Sequence, residues 1–526
     1  MRPCLVVLVV LSGSCASAPP APTQPTAGRV ALPLPKWTEQ QRITHLLNRA
    51  AFGPSPADVA HLHAIGLEAW LSAQLAPGVD PAIEHRLSGF KALGLSIAEA
   101  TAQYVPLQKR LKALGLEKDE EDEQPRQLLI EATQAKLIRA VQSQRQLEEV
   151  LVDFWFNHFN VSAEKNRTRW MVIAYERDAI RPHVLGRFRE LLGATAKHPA
   201  MLWYLDNWQS VKDGFVPPGK LKQADFMPRG LNENFARELL ELHTLGVDAG
   251  YTQEDLHEAA RALTGWSIEI RPNSERFGQF VFHPMAHDSG AKHVFGLELA
   301  AGGGQDDGEK LLDALARHPA TARFIAKKLC TRFVSDTPSP ELIDRVAAEF
   351  LRTDGDLRAT YLAIFQSPEF WSDTAFAAKT KLPLEFVASA VRAVGNLEEV
   401  RLPLAKPLEQ LGQPLYRCSP PTGYSEFAAP WVSAGALVAR INFGLKLAKG
   451  RIPGVEVKLP ERQATNAATI DAVALRVLGR APTDATRETI ERALESHDDV
   501  EDAETRRIDP ALIAGLLLGS PEFQKQ

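Results

Sequence analysis

Residues 232–266, NENFARELLELHTLGVDAGYTQEDLHEAARALTGW, decide how the chain is read. At about 100° per residue, Phe235, Ala236, Leu239, Leu240 and Leu242 fall on one side, and Glu233, Arg237, Glu238, Glu241 and Thr244 on the other, which predicts an amphipathic helix. Gly246 ends it, since glycine is suited to a left-handed cap. A second helix is expected after Thr252, which with Asp255 three residues on approximates a capping box. Asn232 and His243 project into the apolar arc, where a polar side chain must find a partner or cost roughly 1–3 kcal/mol.

Working outward, LLNRAAFGPSPADV at 46–59, VDFWFNHFNV at 152–161 and HPAMLWYLDN at 198–207 stand on the N-terminal side of this stretch. HDSGAK at 287–292, RFIAKKLCTRFV at 323–334 and QPLYRCSPPTGY at 413–424 stand on the other. Together these segments resemble a bacterial family known as domain of unknown function 1800. The resemblance implies a largely helical, exported protein without an assigned activity. It also implies a candidate partner, because members of that family are often encoded beside exported, sulfatase-like proteins of domain of unknown function 1501.

With 526 residues, 45% hydrophobic and 24% charged, the chain can bury a large core. Lys and Arg are outnumbered 60 to 65 and scattered, which argues against nucleic acid as a partner. Arg2, the apolar run Leu5 to Leu11 and the small residues Ser12 to Ser14 before Cys15 form a signal-peptide pattern over 1–18. Lipidation at Cys15 is favoured over cleavage after Ala18, because Pro19 follows Ala18 directly. No other stretch has the roughly 18 apolar residues needed to span a bilayer, so contact with a membrane is expected only through a lipid anchor. Beyond the leader only Cys330 and Cys418 remain, read as buried free thiols.

Residues 19–36 are Pro-rich and read as a tether. Three short helices are expected between Glu39 and Leu75, the second capped by Ser55 ahead of Pro56. The acidic run at 117–123 reads as a solvated loop, and 210–230 as a long surface loop. From Gln127 to Val161 the pattern is helical. Around Val150 to Phe159 nearly every direction is apolar except one stripe, Asp153, Asn157 and Asn160. Helix is expected to continue from Arg169 to about Ala196. The alternation at Phe280 and Phe282 predicts a small β-hairpin near 277–298, whereas Gly302 to Gly304 lack the G-K-[ST] of a phosphate loop. RATYLAIFQSPEFW at 358–371 echoes ALIAGLLLGSPEFQ at 511–524, so two related helix pairs are expected. The fold class is therefore all-α, in packed helix pairs, with that hairpin inserted. The chain divides at 37–230, 231–305, 306–450 and 451–526.

No nucleophile elbow, H-E-x-x-H, Walker loop or Rossmann fingerprint occurs. The candidates are polar residues placed against their local pattern. His158, His287 and Asp288 offer the nitrogen and oxygen ligands that a divalent transition metal accepts. His283 stands four before His287, but Pro284 between them argues for a loop, and the family resemblance stresses H-D-x-G-x-K instead. Glu238, Glu241 and Lys292 are the candidate catalytic groups. Two functions of different class follow: an exported metal-assisted hydrolase or oxidoreductase with a polar central cleft, or a non-catalytic surface or assembly factor. Under the first, His158, Glu238 or Glu241, and His287 with Asp288 are expected to share one pocket.

Overall fold

A computed structural model of the chain describes residues 30–103, 123–216, 230–271, 273–399, 404–495 and 509–526. Helices dominate them, with three small two-stranded antiparallel sheets. The leader with Cys15, most of the tether, residues 117–122 of the acidic run and 217–229 of the long loop lie outside the described residues.

In the central stretch the side chain of Asn232 accepts from the Asn234 amide at 2.9 Å and starts the helix Asn234–Glu238. This runs directly into a π turn, Leu239–His243. The Thr244 hydroxyl donates to the Leu239 carbonyl at 2.6 Å and closes the wide turn. Phe235, Ala236, Leu239 and Leu240 are buried and His243 lies inward as the helical pattern expects, whereas the wider turn leaves Leu242 only half-buried and buries Thr244, expected on the outer side. Gly246, at φ +85°, donates to the Leu240 carbonyl at 3.1 Å. A Cβ there would lie 2.9 Å from the Phe324 ring, so glycine is required by both backbone and packing. The reciprocal Thr252–Asp255 box opens the helix Gln253–Ala262.

The β structure is paired differently from the alternation alone. Phe280–Phe282 pairs backward with Trp266–Ile268, and Lys292–Val294 forms its own hairpin with Leu297–Leu299. The cause is the close pass at Gly265, whose carbonyl accepts from His283 N at 2.9 Å and whose missing Cβ would sit 2.7 Å from the His283 carbonyl. A third pair, Gly395–Leu397 with Val455–Val457, carried no alternation signal. The long helix expected from Arg169 is also broken. It becomes short 3-10, α and π turns from Asn166 to His183, then the helix Phe188–Lys197, with Pro182 and Gly186 at the break.

At the N-terminal end the three short helices are Glu39–Ala50, Pro56–Ile65 and Leu67–Leu75, the first two capped by Thr38 and Ser55. The first is tied far along the chain. His45 Nε2 lies 2.8 Å from the Phe370 carbonyl, and Arg49 donates to the carbonyls of Phe333 at 3.3 Å and Ala375 at 2.7 Å. Of the echoed segments, Leu357–Phe365 packs on Pro340–Arg352, while Pro510–Gly519 packs chiefly along Ala434–Ala448. Gly444 and Gly515 bring that second pair close: a Cβ on Gly444 would lie 2.9 Å from the Leu518 side chain. Buried apolar residues from Val30 to Phe523 form one continuous cluster shared by all four sequence segments. Cys330 and Cys418 are both free and buried. Among the described residues no helix is long and apolar enough to cross a membrane.

Candidate functional site

The helix Gln146–His158 runs through the middle of the core, and its polar stripe has two uses. Asp153 meets Lys136 at 2.9 Å, Lys136 meets Glu176 at 3.4 Å, and Tyr416 donates to Glu176 at 3.0 Å. Asn157 and Asn160 clamp the 413–426 loop. Asn157 exchanges hydrogen bonds with the Tyr424 backbone at 2.7 and 2.8 Å, and Asn160 donates to the carbonyls of Cys418 at 2.9 Å and Pro420 at 2.8 Å. Gly423, at φ +72°, lets the loop approach, since a Cβ would stand 2.3 Å from the Asn157 carbonyl. Tyr416 holds φ +63°, a left-handed conformation costing an aromatic residue about 1–3 kcal/mol. Its carbonyl accepts from Ala163 N at 2.8 Å and its hydroxyl is used by Glu176, so the surroundings fix it there. Stripe and loop enclose a cavity of about 20 Å³, room for one water, walled partly by Asp153 and Glu426. Burial raises the Glu426 carboxyl, against the opposing pull of Arg332 and Lys379.

The next residue of the same helix looks the other way. His158 is buried, and its Nε2 lies 3.2 Å from the His243 carbonyl. A carbonyl only accepts, so the network assigns the proton to Nε2 and leaves the Nδ1 lone pair to accept from Lys328 Nζ at 2.9 Å. Lys328, from the helix Pro319–Phe333, is half-buried and among the described residues has no carboxylate at ion-pair distance. Burial pulls its amine down to about 8, with Glu426 opposing through space. The π turn brings His243 to the same place, with ring centroids 6.3 Å from His158 and 5.1 Å from Phe159. Its Nε2 is buried without a hydrogen-bond partner, and burial followed by Lys328 lowers it to about 3. His158 is likewise held well below the usual imidazole range, by burial first and then by Lys328.

The sequence candidates separate. His287 Nδ1 lies 2.8 Å from the Thr264 carbonyl and its Nε2 3.2 Å from Asp307. Lys292 donates to Asp307 at 2.7 Å and to the carbonyls of Asp288 and Gly290 at 2.6 and 2.9 Å. Asp288 turns to the Arg261 guanidinium with both oxygens, at 2.9 and 3.0 Å, and this bidentate bond holds its carboxyl down to about 2. His283 is exposed. Glu241 lies 3.4 Å from Arg237, and Glu238 is half-buried and raised by burial, then by Glu241. Among the described residues no hydrogen bond or ion pair links His158 to His287, Asp288, Lys292, Glu238 or Glu241, and no three His, Cys, Asp or Glu side chains gather where they could hold a metal ion.

Sequence reasoning missed Lys328, Arg332, Glu426 and Asp307. The available signal was spacing: Lys328 and Arg332 are four apart within RFIAKKLCTRFV and share a helix face, one meeting His158 and the other Glu385 and Glu426.

The fold and these contacts define a class: a helical protein whose long-range motifs converge on a buried polar centre beside a half-buried lysine. The chain belongs to the family described as "Protein of unknown function (DUF1800)", which matches residues 45–525. No curated protein and no solved structure matches.

Proposed function

We propose that the protein is an exported enzyme, a hydrolase in class, whose reaction turns on acid–base chemistry at Lys328, His158 and His243. One observation carries this reading: the Lys328 amine, without a carboxylate at ion-pair distance among the described residues, donates to the fixed lone pair of His158. An amine near 8 is neutral in appreciable part around neutral pH, which suits a general base. His158 positions that amine, and the buried, unpartnered Nε2 of His243 lies beside it as a further polar group of the same centre. Perturbed titratable groups gathered at one place are the physical signature expected of such a site. A divalent transition metal on His158, His287 and Asp288 would require each of these side chains to leave the partners it holds. Glu238 and Glu241 would act only if substrate reached their outer face.

The test is a panel of activated carboxylic and phosphoric esters assayed with wild type, Lys328→Met and His158→Gln. Loss of about 100-fold or more in kcat/KM for Lys328→Met, with a wild-type profile inflecting near pH 8, is expected. Hydrolysis of no member, or hydrolysis unchanged by Lys328→Met, overturns the proposal. Export with lipidation is proposed from the leader alone, and palmitate label that survives Cys15→Ser removes the lipid anchor.

A second reading, an assembly factor working with an exported protein of domain of unknown function 1501, draws on an exposed apolar row: Val432, Leu437, Val438 and Ile441, with Phe427 before them. If it holds, Val438→Lys abolishes comigration with a co-expressed member of that family while ester hydrolysis stays absent throughout.

A further inference from the structure

Away from the Lys328 centre, a cleft of about 540 Å³ opens between the helices Pro81–Leu87, Pro383–Val394 and Asn466–Leu478. Four cationic side chains line it, Arg86, Arg392, Lys458 and Arg476, against one lining carboxylate, Asp58. That carboxylate is already used: it accepts from Arg392 at 2.5 Å and is shared with Ser55. Arg86 spends Nη2 on the carbonyls of Leu397 and Glu398, at 2.9 and 2.8 Å, and its Nε is buried without a partner. Arg476 donates to the carbonyls of Ala393 at 2.8 Å and Lys458 at 3.2 Å. Among the hydrogen bonds and ion pairs of the described residues, neither guanidinium has a carboxylate partner. Among the described residues Lys458 pairs with Glu456, in a pair so exposed that it contributes little.

Carbonyl dipoles orient these guanidinium groups without neutralising them. The cleft therefore carries positive charge that the described protein atoms do not balance. Burial depresses Arg476. The N-terminal end of the ten-residue helix Pro56–Ile65 also faces the cleft, adding a partial positive charge.

We propose that this cleft binds a phosphate group, held by Arg86 and Arg476 together with the exposed Lys458. Guanidinium forks match tetrahedral oxyanions in geometry, and the volume admits one small phosphorylated molecule or one lipid headgroup. None of these residues belongs to the Lys328 centre, so the inference stands apart from the proposed reaction.

The test is titration calorimetry of the full chain with inorganic phosphate, against chloride at matched ionic strength, using wild type, Arg476→Gln and Lys458→Gln. Lys458 is exposed, so its substitution leaves a folded comparison even if Arg476→Gln does not. Saturable phosphate binding, weakened about tenfold or more in a folded variant, is expected. Sedimentation with phosphatidylcholine vesicles containing phosphatidic acid, but not with phosphatidylcholine alone, identifies a lipid headgroup as the source. Phosphate heat without sedimentation identifies a soluble phosphate. Absence of both, or equal binding by wild type and Lys458→Gln, overturns the proposal.

Discussion

Asp307→Asn isolates the cost of breaking the buried pair behind the H-D-x-G-x-K segment. Asp307 and Lys292 are both at least 98% buried, 2.7 Å apart, and the same carboxylate oxygen lies 3.2 Å from His287. Removing one member of such a pair costs about 3–5 kcal/mol, because the other charge stays buried without compensation. Lys292 keeps two carbonyl acceptors, at Asp288 and Gly290, which places the expected loss at the lower end, about 3 kcal/mol. Unfolding entropy of roughly 2.1 cal/mol/K per residue comes to about 1.1 kcal/mol/K for a chain of 526 residues, so Tm should fall by about 3 °C. The paired change Asp307→Leu with Lys292→Met removes both charges and should recover most of that loss. Scanning calorimetry of wild type and these two variants measures it. An Asp307→Asn variant within about 0.5 °C of wild type, or a double variant no more stable than Asp307→Asn, would refute the reasoning.

Gly423→Ala forces a Cβ to within 2.3 Å of the Asn157 carbonyl at positive φ, and should cost more than about 2 kcal/mol in denaturant unfolding; a neutral variant would mean that the 413–426 loop is not clamped as described. His45 and His243, each lowered to about 3, and His198, lowered to about 4, are neutral when folded and protonate below about 6.5 when unfolded. Their stabilisation is full above pH 6.5 and is lost as pH falls toward 4, at up to about 1.4 kcal/mol per pH unit for each proton taken up, so a Tm flat between pH 7 and 5 would contradict their burial. Cys330 and Cys418 should resist thiol reagents in the native protein and react once it unfolds, and a bridged peptide on a non-reducing map would be the contrary result.

What the sequence could reveal depended on how far apart the interacting residues stand. The Thr252–Asp255 box and the Ser55 cap are settled within one helical turn, and both were legible. The π turn was not, because at 239–243 its residues have an ordinary helical pattern and only the half-burial of Leu242 and the burial of Thr244 mark the extra width. Phe280 and Phe282 announced a strand but not its partner, since alternation specifies faces and leaves pairing to the close pass at Gly265. Of the candidate residues, His158 lies in the polar centre, whereas Asp288 and Lys292 are occupied by Arg261 and Asp307. Lys328 and Glu426 escaped notice for a physical reason: each fits a solvated position in its own segment, and becomes unusual only beside groups 170 and 269 residues away, His158 and Asn157 respectively.

The attachment of Glu39–Ala50 to the carbonyls of Phe333, Phe370 and Ala375 bears on the order in which the chain can fold. The first helix cannot complete its contacts until segments about 325 residues later have emerged, as the separation of His45 from Phe370 shows. Such distant closures slow folding, because loop entropy must be lost before the contacts return anything. During synthesis the N-terminal part is therefore left without its final packing until those segments have been made.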